Sequence, residues 1–394
     1  MARRRSKKNI SKKKGICSDS VSNSYDHATK SCEVISKVLL PEDLMFYILT
    51  LVPLDCLINS ARYVCKPWAA IIASSFYVQM CESRARSKPG LYVENRTTRS
   101  SSYFLEFKDG VNGQFERTNL GIPQEMGDII CTRDGILLLW NFFVNSIFVV
   151  NPLLKSWLRI PPFPIFGQHI SWRTTRCAIA RVPGTIKFKL FFVDIFYISN
   201  AFWYVFYMLR IGIDNSWREI ARKEYLFQHQ PLYNESSDLY WISNKEVIVM
   251  DVDKEIILRE YPLPQVPSGE DPTYLWMENR LSCIVRKDPH YKTYNIYILD
   301  FDSRKWSFYH QMELAFGHKL ASFEAFRLWI DDQIIFRATP HQNQLSKILQ
   351  GIKKMHFCYN VKTKQLIKIE DIDVGDFKVW FHTNSLVSLS STPP

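Results

Sequence analysis

One unit recurs along the chain and limits what it can fold into. A run of apolar residues ends in Asn or Asp, and six residues later comes Trp, Ile or Leu. Ile147–Val150 leads to Asn151 and then Trp157; Val247–Met250 leads to Asp251 and Ile257; Ile296–Leu299 leads to Asp300 and Trp306; Met355–Tyr359 leads to Asn360 and Leu366. Each turn also carries a basic residue, Lys155, Lys254, Arg304 or Lys364. The pattern is that of a β-hairpin. An Asn or Asp side chain bonds the backbone two residues on and starts the turn, and the next strand opens with a large apolar side chain expected to pack inward. Tyr204–Ile211 with Trp217 makes a fifth copy without the Asn or Asp. Further strands precede several copies, at Ile136–Trp140, Leu239–Ile242, Leu281–Val285, and Leu328–Ile330 with Ile334–Phe336. Successive anchors lie 60, 40, 49 and 60 residues apart. Multi-strand repeats of roughly 40–50 residues are the signature of propeller blades. The spacing predicts five or six blades, with strands near Tyr103–Phe107 and Val379–Leu389 completing one shared blade. A generic antiparallel protein with many hairpins is the alternative.

The composition suits such a fold. The chain is 394 residues long, 46% hydrophobic and 14% aromatic, and aromatic side chains fit a pleated, half-buried surface. That length allows two or three domains. The net charge is +11, but eight positive charges and no acid fall within the first 14 residues, leaving +3 for the other 380. The basic character therefore belongs to a tail, and no broad nucleic-acid-binding face is implied. Residues 1–33 are rich in Lys, Arg, Ser and Asn, which predicts disorder. The clusters Arg3–Lys8 and Lys12–Lys14 read either as a nuclear localisation signal or as a solvated tail.

Nine cysteines, an odd number, show no Cys-x-x-Cys spacing. That argues against a disulfide framework or a zinc site and for a reducing compartment, nucleus or cytoplasm. The charged N-terminus lacks the apolar segment of a secretory signal. The two longest apolar stretches, Ile136–Val150 and Leu190–Leu209, are broken by Asn141, Asn145 and Ser146, and by Asp194, Ser199 and Asn200. They read as paired strands rather than membrane spans, which need roughly 20 apolar residues.

Residues 36–84 have a different, helical character. Pro41 suits a first helical position and Glu42 and Asp43 a first turn. Leu44, Ile48 and Leu51 follow at i, i+4, i+7, widened by Met45 and Leu49. Pro53 opens a second helix with Leu54, Leu57, Ile58 and Ala61. Pro67 opens a third with Trp68, Ile71 and Ile72, and Phe76 lies just past it. A three-helix module this short holds more apolar residues than it can bury alone, which makes it a docking element.

Leu40-Pro41-Glu42-Asp43-Leu44, Ile48-Leu49, Pro53, Leu57 and Val64-Cys65-Lys66-Pro67-Trp68, followed by Ile72 and Phe76, resemble the F-box. The chain departs from the commonest pattern at Asn59-Ser60-Ala61, which is more polar. Residues 95–390 resemble the F-box-associated or kelch-like region of plant F-box proteins. That resemblance rests on Gly135-Ile136-Leu137-Leu138, Val149-Val150-Asn151-Pro152 with Trp157 and Pro161, Leu239-Tyr240-Trp241, and Tyr297-Ile298-Leu299-Asp300 with Trp306. It implies a substrate receptor of an SCF-type ubiquitin ligase. Its F-box would bind a Skp-family adaptor, and through it cullin and RING subunits, and its β domain would hold the protein to be ubiquitinated. The adaptor-binding residues it implies are Leu40, Pro41, Leu44, Ile48, Leu49, Pro53, Leu57, Val64, Cys65, Trp68 and Ile72. Of these, Leu57 and Ile72, like Ile71, equally suit the module's own core.

The motifs of nucleotide-binding, zinc-protease and serine-hydrolase sites are missing from the sequence. No catalytic residue, metal site or cofactor is expected; His356 with Cys358, and Asp371, Asp373 and Asp376, fall short of ligand sets. The expected mechanism is positioning rather than bond making. The polar, aromatic loops Phe166–Arg173, Gln228–Ser237, Pro264–Tyr274 and Pro340–Ser346 are candidates for holding a protein substrate. A non-degradative propeller scaffold, or a nuclear nucleic-acid-associated protein acting through the tail, are the alternatives.

Overall fold

The computed structural model describes residues 41–83, 89–107, 115–141, 143–164, 177–198, 201–224, 232–233, 238–243, 245–266, 272–277, 280–288, 293–314, 320–340, 355–370, 372 and 377–389. The basic tail, Leu40, loops 166–173 and 341–346, and most of loops 228–237 and 267–271 lie outside them. The described strands form six four-stranded antiparallel sheets, so of the five or six blades expected there are six. Blade 1 joins β1 (Pro89–Asn95), β2 (Tyr103–Phe107) and β3 (Phe115–Asn119) to the last strand, β24 (Phe377–Thr383). Blade 2 is β4 (Asp128–Arg133), β5 (Ile136–Asn141), β6 (Ser146–Asn151) and β7 (Ser156–Ile160). Blade 3 is β8 (Cys177–Arg181), β9 (Phe188–Ile198), β10 (Ala201–Arg210) and β11 (Arg218–Lys223). Blade 4 is β12 (Leu232–Tyr233), β13 (Asp238–Ile242), β14 (Glu246–Asp251) and β15 (Ile256–Pro262). Blade 5 is β16 (Thr273–Met277), β17 (Arg280–Asp288), β18 (Thr293–Asp300) and β19 (Lys305–Glu313). Blade 6 is β20 (Leu320–Ile330), β21 (Gln333–Pro340), β22 (Met355–Asn360) and β23 (Leu366–Lys368).

The first strands β4, β8, β12, β16 and β20 neighbour one another in turn, and β24 closes the circle between β20 and β4. The fold is a β-propeller. Closure uses β24 alone; residues 384–389, expected as strand, continue past it without pairing. Middle strands are covered on both faces by neighbouring blades, so they read as unbroken apolar runs, such as the fully buried Ile136–Leu139. Outer strands meet water and expose Arg159, Arg218, Glu219, Arg259, Glu260 and Lys305. Charges there discourage pairing with another sheet edge. Apolar cores fill the interfaces between adjacent blades.

The recurring unit is the hairpin between the third and fourth strands. Asn151 Oδ1 accepts from the N–H groups of Leu153 and Leu154, both at 3.1 Å. Asp251 Oδ1 accepts from Asp253 and Lys254 at 2.8 Å, and Asn360 Oδ1 from Lys362 and Thr363 at 3.0 and 2.8 Å. Asp300 accepts from Asp302 N at 3.0 Å and Ser303 Oγ at 2.6 Å. Four residues after each anchor the backbone turns left-handed, at Lys155, Glu255, Arg304 and Lys364, with φ of 52°, 61°, 56° and 58°. Glu255 holds this place in blade 4, and Lys254 does not. What the four turns share is therefore this backbone conformation, not a basic residue. In blade 3 the missing anchor is replaced from the far side of the turn: Asp214 accepts from Arg210 N at 2.8 Å and pairs with its guanidinium.

The residue six places after the anchor does not pack inward as expected. Trp157 is mostly exposed, and Ile257, Trp306 and Leu366 are half-buried. Two tryptophans of this class tie their blade to the one before. Trp217 Nε1 donates to Pro161 O at 3.1 Å, and Trp306 Nε1 to Pro262 O at 2.8 Å.

The helical region holds four short α-helices rather than three: α1 (Glu42–Leu49), α2 (Leu54–Asn59), α3 (Lys66–Ala73) and α4 (Ser75–Ser83), with a 3-10 turn at Ala61–Tyr63. Among the described residues none is long and apolar enough to cross a membrane. Ser74 creates the extra helix. Its backbone is extended (ψ 141°), and its Oγ accepts from Tyr77 N at 3.2 Å, capping α4. Tyr77 Oη then donates to Leu49 O at 2.7 Å and locks α4 on α1.

These helices have no core of their own. Met45, Leu49, Leu57, Ile71, Ile72, Tyr77 and Val78 join the core between blades 2 and 3, together with Leu386, Val387 and Leu389 of the segment after β24. That segment is clamped by Asn151, fully buried, whose Nδ2 donates to Ser385 O and Val387 O, both at 2.9 Å.

Asn151→Ala strands two buried carbonyls as well as the turn and is expected to cost about 2–4 kcal/mol by chemical denaturation. Asn360→Ala, at an exposed turn, is expected to cost about 1 kcal/mol. Equal costs would contradict the clamp.

Closure also carries a pH signature. His382 on β24 is buried between Tyr92 and Phe104, with Nδ1 at 3.1 Å from Thr132 Oγ1. Burial lowers its pKa to about 3. The unfolded chain takes up this proton from about pH 6.5 downward and the folded one does not. Stability is therefore full above about pH 6.5 and falls as the pH drops, by up to about 1.4 kcal/mol per unit. His382→Phe is expected to flatten the stability profile between about pH 6 and 4.5; an unchanged slope would exclude His382 as the cause.

Candidate docking face of the helices

α1 and the turn that follows it carry two apolar stripes. Met45 and Leu49 point into the shared core. Leu44, Tyr47, Ile48 and Leu51 follow the i, i+3, i+4, i+7 rule on the other side, where Leu44, Tyr47 and Leu51 are exposed and Ile48 is half-buried. The sequence spacing had merged these into one wide stripe. The 3-10 turn adds Tyr63 and Val64, 72% and 62% exposed, and α4 adds Phe76 at 63%. The Phe46 ring holds Phe76 at 5.3 Å between centroids and meets the edge of Tyr77 at 5.3 Å. Between α1, α3 and the start of α4 runs an open groove of about 460 Å³, lined by Glu42, Met45, Phe46, Pro67, Ala70, Ile71, Ser74 and Phe76. Large apolar side chains this dense between Leu44 and Phe76 mark an interaction surface rather than scattered exposure.

The adaptor-binding set read from the sequence divides three ways. Pro41, Leu44, Pro53, Val64 and Cys65 are exposed, and Ile48 and Trp68 are half-buried. Leu49, Leu57 and Ile72 are buried in the shared core, so they shape the face and do not present it. Leu40 lies outside the described residues. Tyr47, Leu51, Tyr63 and Phe76 belong to the exposed set although the adaptor-binding set read from the sequence omits them. The signal for the first two was in the sequence: Leu44, Tyr47 and Leu51 keep helical spacing while Met45 and Leu49 occupy the opposite side.

Elsewhere the polar residues read as structural. Lys189 is buried, and its Nζ donates to Val252 O and Asp253 O at 2.9 Å and pairs with Glu255 at 2.8 Å, joining blade 3 to the blade 4 turn. Burial pushes the thiols of Cys131, Cys283 and Cys358 up to about 12, far from the reactive thiolate range. Cys358 Sγ donates to Gln333 Oε1 at 2.6 Å, and His356 beside it is buried. Among the described residues no three His, Cys, Asp or Glu side chains gather as metal ligands.

No protein-family model matches the chain, and no curated protein sequence matches it. Among solved structures it is similar to the β-propeller domain of the Trilobed protease from Pyrococcus furiosus, at 12% identity over 72% of each chain with a TM-score of 0.32. It is similar to the WD40 domain of SCAP from fission yeast, at 13% identity over 76% of this chain and 89% of that one, TM-score 0.30. It is also similar to a putative 6-phosphogluconolactonase from Bacteroides uniformis, at 10% identity over 75% and 99%, TM-score 0.39. Values this low carry no inference about function.

Substitution separates the two stripes. Leu51→Asp is expected to change unfolding free energy by less than about 0.5 kcal/mol, as for other exposed sites. Leu57→Ala is expected to cost about 2–5 kcal/mol. A large loss at Leu51 would place it in the core.

Proposed function

We propose that the chain is the substrate-recognition subunit of an SCF-type ubiquitin ligase, with the helices binding a Skp-family adaptor and the propeller holding the protein to be ubiquitinated. The observation that carries this is the outward stripe Leu44–Tyr47–Ile48–Leu51, exposed on helices whose other stripe is already buried. The F-box resemblance of Pro41-Glu42-Asp43-Leu44 and Val64-Cys65-Lys66-Pro67-Trp68 supports it. Burying one large apolar side chain contributes roughly 1.5–3 kcal/mol, so four or five such anchors contribute about 6–15 kcal/mol, comparable with the roughly 4–15 kcal/mol that association costs. The shared core between helices and blades suits the task, because an adaptor on the helices then fixes the orientation of the propeller and its substrate. The chain itself would make and break no bond.

The test is association of the purified full chain with a purified Skp-family adaptor. Binding is expected in the micromolar range or tighter, and Leu44→Glu with Leu51→Glu is expected to weaken it at least about tenfold while leaving thermal unfolding unchanged. Absence of binding, or binding indifferent to the pair, would sink the ligase reading. Adaptor binding without recovery of cullin would favour the scaffold.

A further inference from the structure

The helices cover the end of the propeller where first and second strands turn, since Gln79 on α4 donates to Gly184 O in the β8–β9 turn at 3.4 Å. The strands β4 and β24 begin at the opposite end. There a small polar cavity of about 190 Å³ is lined by Glu94, Arg96, Asp128, Ile129, Arg337 and Lys378. It has room for roughly six waters at about 30 Å³ each. That is below the ~300 Å³ of ordinary small-molecule pockets. It suits the end of one side chain, not a nucleotide.

Its lining has three basic groups against two acidic ones, and the geometry of Glu94, Lys378 and Arg337 is fixed. Glu94 faces Lys378 across the β1–β24 register. Its carboxylate is already engaged: Oε1 accepts from Ile129 N and Oε2 from Trp380 Nε1, both at 3.1 Å. Lys378 Nζ lies 3.9 Å over the Trp380 ring, and Arg337 Nη1 donates to Phe377 O at 3.4 Å.

An apolar anchor stands beside the cavity. Trp140 is the cross-strand partner of Asp128, and three residues further on Phe143 is 94% exposed, followed by the exposed Val144. The cross-strand step of about 5 Å from Asp128 to Trp140 and at most about 10 Å of chain on to Phe143 put Phe143 within about 15 Å of Asp128. The turn is held in place: Asn141 Oδ1 accepts from Phe143 N at 3.0 Å and Val144 N at 3.3 Å, and Asn141 Nδ2 donates to Glu125 O at 2.6 Å. A large apolar side chain held out on a fixed turn is the makeup of a binding hot spot.

We propose that the cavity and Phe143–Val144 together recognise a protein segment carrying an anionic side chain, carboxylate or phosphoryl, about three residues from an apolar one. This rests on the propeller being the substrate-holding half of the chain, and it does not need the adaptor. The basic groups neutralise the anion with charge-assisted hydrogen bonds, and the apolar pair supplies burial next to it.

The test is fluorescence anisotropy of the full chain, without adaptor, against three matched peptides with Glu, phosphoserine or Ser placed three residues before Leu. At least one anionic peptide is expected to bind about tenfold tighter than the Ser peptide, with the margin shrinking as salt rises. Which of the two is preferred distinguishes carboxylate from phosphoryl. Arg96→Glu, at an exposed position outside the strands, is expected to erase the margin. Lys378→Gln repeats the test should that variant fold poorly, and Phe143→Ser is expected to weaken the anionic peptides about fivefold. Equal binding of all three peptides, no binding up to ~1 mM, or a margin within twofold of the original in folded Arg96→Glu and Lys378→Gln overturns the proposal. Because no adaptor is present, such a failure leaves adaptor binding to be judged separately.

Discussion

Seven cross-strand pairs between β1 and β24, from Pro89↔Thr383 to Asn95↔Phe377, join the two ends of the propeller. Every other blade is made from one continuous piece of chain. Blade 1 alone is built from both ends, so the interfaces it forms with blades 2 and 6 exist only when this pairing does. The strands also carry polar cross-links that a slipped register would break. Trp380 reaches Glu94, and Glu94 in turn reaches Ile129 in blade 2. A one-residue slip would turn these side chains to the wrong face. Ring closure, blade-to-blade register and the shape of the cavity at its far mouth are thus one constraint.

The end of the chain does further work. Past β24 the backbone runs as a strap across the turns of blades 2 and 3, where Asn151 holds it and the helices pack over it. The helices therefore rest on a floor made of three parts that are distant in sequence. This explains how so short a helical region remains ordered with one apolar stripe in water: its stability comes from the other stripe and not from its own interior.

Local physics made much of this fold legible. An Asn or Asp that accepts two successive N–H groups, followed by a left-handed residue, is determined within six residues, so the hairpins at Asn151, Asp251, Asp300 and Asn360 could be read off the chain. Blade number could not, because blade 1 is assembled from segments nearly 300 residues apart and nothing local records their pairing. Periodicity found the apolar positions of α1 but not which stripe faces inward, since that depends on blades 2 and 3. The fourth helix turned on a single residue, Ser74, whose extended backbone and hydroxyl cap interrupt an otherwise continuous pattern. For Trp217 and Trp306 the sequence supplied the position but not the partner, a proline carbonyl of the preceding blade.

The shared core also orders events during synthesis. Residues 42–83 leave the ribosome before any blade, yet the partners of their inner stripe arrive with blades 2 and 3, and the strap beneath them, Leu386 to Leu389, arrives after all six blades. Until then both stripes of α1 face water, and a nascent chain with exposed apolar surface is prone to wrong associations. Only the arrival of this strap hides the inner stripe and leaves the outer one alone on the surface. The helices thus offer a single defined face only once residues 384–389 are in place, so that a product truncated before them would lack it.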